Sequence, residues 1–219
     1  MGIYQHTTMR RLLLPVLLCG ALIAGCTIGT PAQAPVVTYD LGPVTMPAAG
    51  GKPSGKTVLV TPVAAPTWLD HTTMMYRLNH ADPMRPRVYS GSYWKAAPAE
   101  MLTERIRVRL TRFANVVTET EGVGGDYSLR LDLEEFAQSF PQADTSHINI
   151  RVRATLIDTG RRTVLMQRTF EALEAAPPNA VGAVPVYARS AGRLLDEIAA
   201  WVEPALGAPR AAVTPKEKP

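Results

Sequence analysis

YSLRLDLEEF, residues 127–136, decides the fold. Tyr127, Leu129, Leu131 and Leu133 point one way, and Ser128, Arg130, Asp132 and Glu134 the other. That period of two is what a half-buried strand requires. Glu135 breaks the alternation before Phe136, which predicts a bulge or a bend. The next apolar set, Ile148, Ile150, Val152, Ala154 and Leu156, repeats the same spacing. Asp158-Thr159-Gly160 reads as a turn, and Val164, Met166, Phe170 and Ala172 continue the sheet.

On the C-terminal side, Pro177-Pro178 breaks the chain and a helix is predicted over 183–202. Its stripe is Tyr187, Ala191, Leu194, Leu195, Ile198 and Val202. Residues 203–219, rich in Pro, Ala and Lys, read as a frayed tail. On the N-terminal side, 97–113 reads as a helix with Pro98 in its first turn. Leu102, Ile106, Leu110 and Phe113 share one face, and Arg105, Arg107, Arg109 and Arg112 mostly occupy the others. Residues 115–120 read as a strand and 122–125 as a loop. Residues 57–63 read as a buried strand ended by Pro62 at a sheet edge or turn. Residues 68–70 and 74–78 are expected to form a short hairpin, and 87–94 another strand. The sum is one α+β domain over 57–202, a largely antiparallel or mixed sheet with two helices on one face.

The 219 residues are 46% hydrophobic and 19% charged, which excludes a wholly disordered protein. No apolar run is long enough for a polytopic membrane protein. The formal net charge is +4, but Arg10 and Arg11 lie in a segment expected to be removed. The remainder is close to balanced, so no nucleic-acid partner is expected. Residues 12–25 form an apolar run that would span roughly 21 Å as a helix, short of the ~30 Å hydrocarbon core. Basic residues before it and small residues after it give the layout of a signal peptide over 1–25.

That run closes with Ile23-Ala24-Gly25-Cys26, which resembles the lipobox of bacterial lipoproteins. A peptidase needs small side chains beside the cut, and the Cys26 thiol is the site for a diacylglycerol. Of the two cysteines, Cys19 leaves with the leader, so the mature chain forms no internal disulfide. The expected modification is a covalent diacylglycerol with an N-acyl chain on Cys26, with no other cofactor. Two or more acyl chains hold a protein stably on a membrane. Thr27 follows the cysteine where the inner-membrane retention signal has Asp, which points to the outer membrane, periplasmic face. Residues 26–56 then read as a lipidated N-terminus and flexible tether, with Tyr39-Asp40-Leu41-Gly42-Pro43 as an ordered island.

Several motifs tempt a catalytic reading and fail on context. Residues 50–57, GGKPSGKT, match the phosphate-loop pattern letter for letter. That loop works only between a strand and a helix, and the β-prone TVLVTP follows here instead. No nucleotide partner is expected. Asp144, Ser146 and His147 are neighbours in sequence, but a triad is a matter of geometry, and a polar turn explains them. His71 and His80 have no matching ligand pair, so no metal site is expected. Glu134 and Glu135 should point to opposite faces of their strand, which rules out a carboxylate pair. What stands out is an aromatic set in the N-terminal half, Tyr39, Trp68, Tyr76, Tyr89, Tyr93 and Trp94. Such residues are core by default and are also the types that anchor interfaces.

These landmarks, in order, resemble the ABC-type transport auxiliary lipoproteins, the family of the third component of the paraquat-inducible operon. Tyr39-Asp40-Leu41-Gly42-Pro43 matches a Tyr-x-Leu-x-Pro segment after the lipid anchor. Val58, Val60 and Pro62 match the strand that follows, and Pro66-Thr67-Trp68-Leu69-Asp70 the next segment. Met74-Met75-Tyr76-Arg77, the Tyr93-Trp94 pair with Pro98, the strand beginning Tyr127-Ser128-Leu129-Arg130-Leu131 and the turn at 158–160 complete the series. The resemblance covers roughly 39–201. One departure is Tyr93, where members often carry Arg.

The resemblance implies a fold similar to the N-terminal domain of the translocation protein TolB. It implies a non-enzymatic lipoprotein that docks or supports an Mce-type ABC lipid-transport system spanning the periplasm. An Mce-domain protein would be its partner, and ring-forming partners make a homo-oligomer an expectation. Tyr39, Leu41, Trp68, Tyr76 and Trp94 are the candidate interface residues. The alternative is a cell-envelope assembly or structural lipoprotein acting on lipopolysaccharide or outer-membrane proteins.

Overall fold

The computed structural model describes residues 35–44 and 54–207. The described residues from Val36 onward form one compact unit. Among the described residues, four strands and a helix are followed by four more strands and a second helix. They are β1 (Val37–Tyr39), β2 (Thr57–Val60), β3 (Thr73–Leu78), β4 (Asp82–Trp94), α1 (Pro98–Leu110), β5 (Asn115–Val117), β6 (Tyr127–Ser139), β7 (Ser146–Asp158), β8 (Thr163–Ala176) and α2 (Ala180–Gly207). The fold is α+β with a mixed sheet, as expected.

β6 organises the sheet. One edge pairs antiparallel with β7 along its whole length, and β7 pairs antiparallel with β8. The other edge is shared. Its first residues take β2 in parallel, with Val58 opposite Tyr127. Its last residues take β3 in parallel, with Tyr76 opposite Gln138. Ala64 fills the gap between them, donating to the Leu131 carbonyl at 2.9 Å and accepting from the Leu133 amide at 2.8 Å. β5 extends the sheet beyond β2, and β4 then β1 extend it beyond β3. That edge of β6 is thus met in turn by β2, Ala64 and β3.

The alternation in β6 and β7 appears as drawn from the sequence. Leu129, Leu131, Leu133, Ile148, Ile150, Val152, Ala154 and Leu156 are all buried. The break at Glu135 is a bulge, where the pairing with β7 shifts between Leu133 and Glu135. On the buried face α1 contributes Leu102, Ile106 and Leu110, and α2 contributes Tyr187, Ala191, Leu194, Leu195, Ile198 and Val202. Each such Leu, Ile or Val side chain contributes about 1.5–3 kcal/mol on burial. The helices also meet each other, through Arg109 and Asp196 at 2.7 Å. The opposite face of β6–β8 carries Arg151, Arg153, Asp132 and Glu171 and no helix among the described residues.

Four details differ from the sequence expectation. Residues 66–70 form a turn, with the Leu69 amide on the Pro66 carbonyl at 2.8 Å, and the hairpin is β3–β4. β4 starts at Asp82, before two prolines that an edge strand tolerates. α2 begins at Ala180 and reaches Gly207, past the expected end at 202, and begins on an Asn179 side chain that accepts from the Gly182 amide at 2.7 Å. Glu134 and Glu135 share the exposed face, because the bulge adds one residue and restores the phase. Glu134 reaches Arg153 at 3.6 Å, and Glu135 stands opposite Arg151.

Candidate interface

The 39–43 island is built into the domain. Tyr39 lies opposite Trp94 in the β1–β4 pair, and its carbonyl accepts from the Lys95 amide at 2.7 Å. Asp40 caps the turn through the Gly42 amide at 2.7 Å. Gly42 has φ +79°, a left-handed conformation that glycine adopts without strain. Leu41 is only 5% exposed and belongs to the core. Arg105 is the residue that the helical pattern misassigned. It is buried, donating to the carbonyls of Met101, one turn back, and Gly42. Burial pushes its guanidinium pKa down, and Asp40 opposes that shift. The missed signal is length: an arginine beside an apolar stripe can lay its stem along the core and deliver its head to a carbonyl.

Trp94 is also core, 2% exposed, set edge-on to Phe136 and Tyr187 at 5.5 and 5.3 Å. Neither Leu41 nor Trp94 has surface to offer a partner. Tyr76 is half-buried, 4.6 Å from the ring of Tyr89 and 5.8 Å from Phe140. The Tyr89 hydroxyl donates to Gln138 Oε1 at 2.8 Å; Gln138 Nε2 donates to Ser146 Oγ at 2.6 Å, which donates to the Ala176 carbonyl at 2.9 Å. Burial pushes the Tyr89 pKa up to about 12, so it stays a proton donor. Ser146, read from the sequence as part of a polar turn, instead opens β7 and is held in this relay. Similarly, Thr57 opens strand β2 rather than a helix, so the phosphate-loop context is absent there. Residues 50–53 and Cys26 lie outside the described residues.

Trp68 differs from the rest. It is 42% exposed, with the Arg77 guanidinium over its ring at 5.8 Å. Arg77 also approaches Glu135 at 3.9 Å. Beside them a concavity of about 390 Å³ is lined by Arg77, Glu135, Ala137, His147, Asn149 and Leu173. Burial raises the Glu135 pKa, against the pull of Arg77 and Arg151. Asn149 Oδ1 is buried there without a hydrogen-bond partner, and Leu173 is 61% exposed. Trp and Arg are residue types enriched where protein-binding energy concentrates, and here they stand beside a half-desolvated carboxylate. Among the described residues, no three His, Cys, Asp or Glu side chains gather as a metal site would need. The five residues singled out in the sequence are thus not one patch: none lines this hollow, and Trp68 is tied to it only through Arg77.

A sequence model of the ABC-type transport auxiliary lipoprotein component matches residues 39–199. The chain belongs to that family. The match begins at the Tyr39 of β1 and covers every strand from β2 onward. No curated protein sequence matches the chain. Among solved structures, a Xanthomonas campestris protein of family DUF330 is 20% identical, with a TM-score of 0.66 over 78% of this chain and 96% of that one. An uncharacterized protein is 16% identical, with a TM-score of 0.59 over 77% and 99%. A hypothetical protein from Chlamydia trachomatis is 13% identical, with a TM-score of 0.50 over 69% and 98%. At these identities the likeness concerns the fold. This family member shares it almost to the full length of each neighbour.

Proposed function

We propose that the chain is a non-enzymatic lipoprotein, anchored by acyl chains on Cys26 to the periplasmic face of the outer membrane, that docks or supports an Mce-type ABC lipid transporter. The observation that carries this reading is the family match over the whole folded domain. The lipobox before Cys26 and Thr27 after it support the anchor and its membrane. Within the domain, the hollow at Arg77 and Glu135, with the neighbouring Trp68, is the docking surface, and the Mce-domain protein is its occupant. The Tyr89 and Ser146 hydroxyls are tied into one hydrogen-bond relay, which supports a binding role over a catalytic one there.

Cross-linking in the native envelope tests this. With a photo-reactive residue at position 68 or 173, an Mce-domain protein is the expected adduct. Capture of lipopolysaccharide or outer-membrane assembly factors alone would replace this reading with the envelope-assembly one. Trp68→Ala should lower capture several-fold while leaving stability within ~0.5 kcal/mol, as for an exposed side chain.

A further inference from the structure

Among the described residues, β8 is the sheet's one long and regular open edge. β1 and β5 end the sheet as strands of three residues each. The open part of β4, upstream of Ser92, carries Pro83 and Pro86, which remove amide donors. β8 runs for 14 residues without Pro or Gly and pairs with β7. From Met166 to Ala176 that pairing has no register shift. Beyond this ladder, no main-chain hydrogen bond reaches 166–175 among the described residues. Alternate amides and carbonyls of the stretch therefore face outward, a ready template for another strand. Its even-numbered residues share the face of Phe170, where Trp201 of α2 lies edge-on at 5.6 Å. The odd-numbered Gln167, Thr169, Glu171 and Leu173 are exposed on the other face.

The strand's own charges fit a second copy of it. Two β8 edges join antiparallel about a two-fold axis normal to the sheet. Residues directly opposite then share a face, so the axis passes where one residue meets itself. At Arg168 or Glu171 such an axis sets like charges face to face. At Ala172 it sets Glu174 against the Phe170 of the other copy. Axes farther along either way overlap less of 166–176, and so does one at Thr169. At Phe170 the overlap runs over 166–174 and no charge stands opposite its like. The Thr169 hydroxyl then stands opposite Glu171, an acceptor, and Leu173, 61% exposed, is covered by the Gln167 stem. Glu174 comes opposite Met166, and it is already bridged by Arg189 and Arg193 of its own chain.

We propose that β8 is the contact between two copies of this chain: the strands pair antiparallel about a two-fold axis at Phe170 and join two sheets into one. The outward amides and carbonyls of both edges are satisfied at once. The open face, with the hollow at Arg77 and Glu135, stays uncovered, so this contact goes beyond the docking reading and does not depend on it.

The test uses the purified full chain and a short bis-methanethiosulfonate linker. One sample carries Gln167→Cys, a second Leu173→Cys, and a third is their mixture, the two chains bearing different tags. The native chain sets the background. In the mixture a linked dimer carrying both tags is expected, several-fold above either variant alone, because 167 faces 173 across the axis while each lies six positions from its own copy. Adding Thr169→Glu to both chains sets a second carboxylate opposite Glu171. It should lower the mixed yield several-fold with the circular dichroism and the Tm unchanged. No linking above background in the mixture overturns the proposal. So does self-linking of Leu173→Cys alone, which would put the axis elsewhere, and so does a mixed yield that Thr169→Glu leaves intact. In the native envelope, linking of Gln167→Cys to another protein in place of Leu173→Cys overturns it in favour of a foreign strand.

Discussion

At the residue scale, two buried or half-buried charges set opposite expectations. Arg105 holds the Gly42 carbonyl, so Arg105→Met should free the 39–44 segment while keeping the stem's packing. The loss should be about 1.5–3 kcal/mol in urea unfolding, the range for a hydrogen bond from a charged group. Hydrogen exchange at the Leu41 amide should rise with it, and unchanged exchange there would contradict the role. Glu135 works the other way. Its folded pKa lies above the unfolded value because burial penalises the carboxylate. Its contribution is fully present below the ordinary carboxylate pKa, about 4.3. It is lost as pH rises through the raised value. Glu135→Gln should therefore gain stability relative to the native chain as pH climbs from acid to neutral. A difference that stays flat, or shrinks, across that range would show that Arg77 outweighs burial.

At the element scale, packing and close approach dominate. Phe136 from β6 stacks on Tyr187 from α2 at 4.7 Å, with Trp94 from β4 edge-on to both. Phe136→Ala should cost about 3–5 kcal/mol, measured by denaturant unfolding. Gly125 precedes β6 where a Cβ would stand 2.7 Å from the Leu59 nitrogen and the Tyr127 oxygen. Gly125→Ala should push β2 off β6 and lower the Tm, where a tolerated alanine would mean that the β2–β6 junction can move. What was readable in the sequence follows the same division. Period-two alternation was legible in β6 and β7 because one face is uniformly buried. The start of β4 was not, since an edge ribbon with prolines and exposed apolar residues carries no burial pattern. The bulge was legible at Glu135, but its effect on phase, placing two glutamates on one face, needed the register of β7. Of the interface residues, Trp68 kept its surface. Leu41 and Trp94 did not, because an aromatic or leucine near prolines looks the same whether it caps a core or awaits a partner.

At the scale of the whole molecule, pairing partners are far apart in sequence. The Thr57 amide donates to Asp126 across 69 positions, and Val58 sits opposite Tyr127. β3 meets β6 only at Gln138 and Ser139. Before β6 exists, the first half of the chain has α1, β5 and the β3–β4 hairpin, and none of these closes a core. The β6–β7–β8 meander, joined by short turns, supplies the template on which β2 and β3 dock. Low sequence separation within the meander and high separation to its partners predict that it forms early. Conservative truncations at Ile150 should slow folding, whereas those at Val58 should chiefly speed unfolding. Stopped-flow chevrons would show the reverse pattern if the N-terminal half nucleated. A chain emitted N-terminus first, from a ribosome or through a translocation pore, therefore presents more than half its length before anything can lock. Such a polypeptide stays thread-like while it is being passed across a barrier and acquires its shape only after the last strands have arrived.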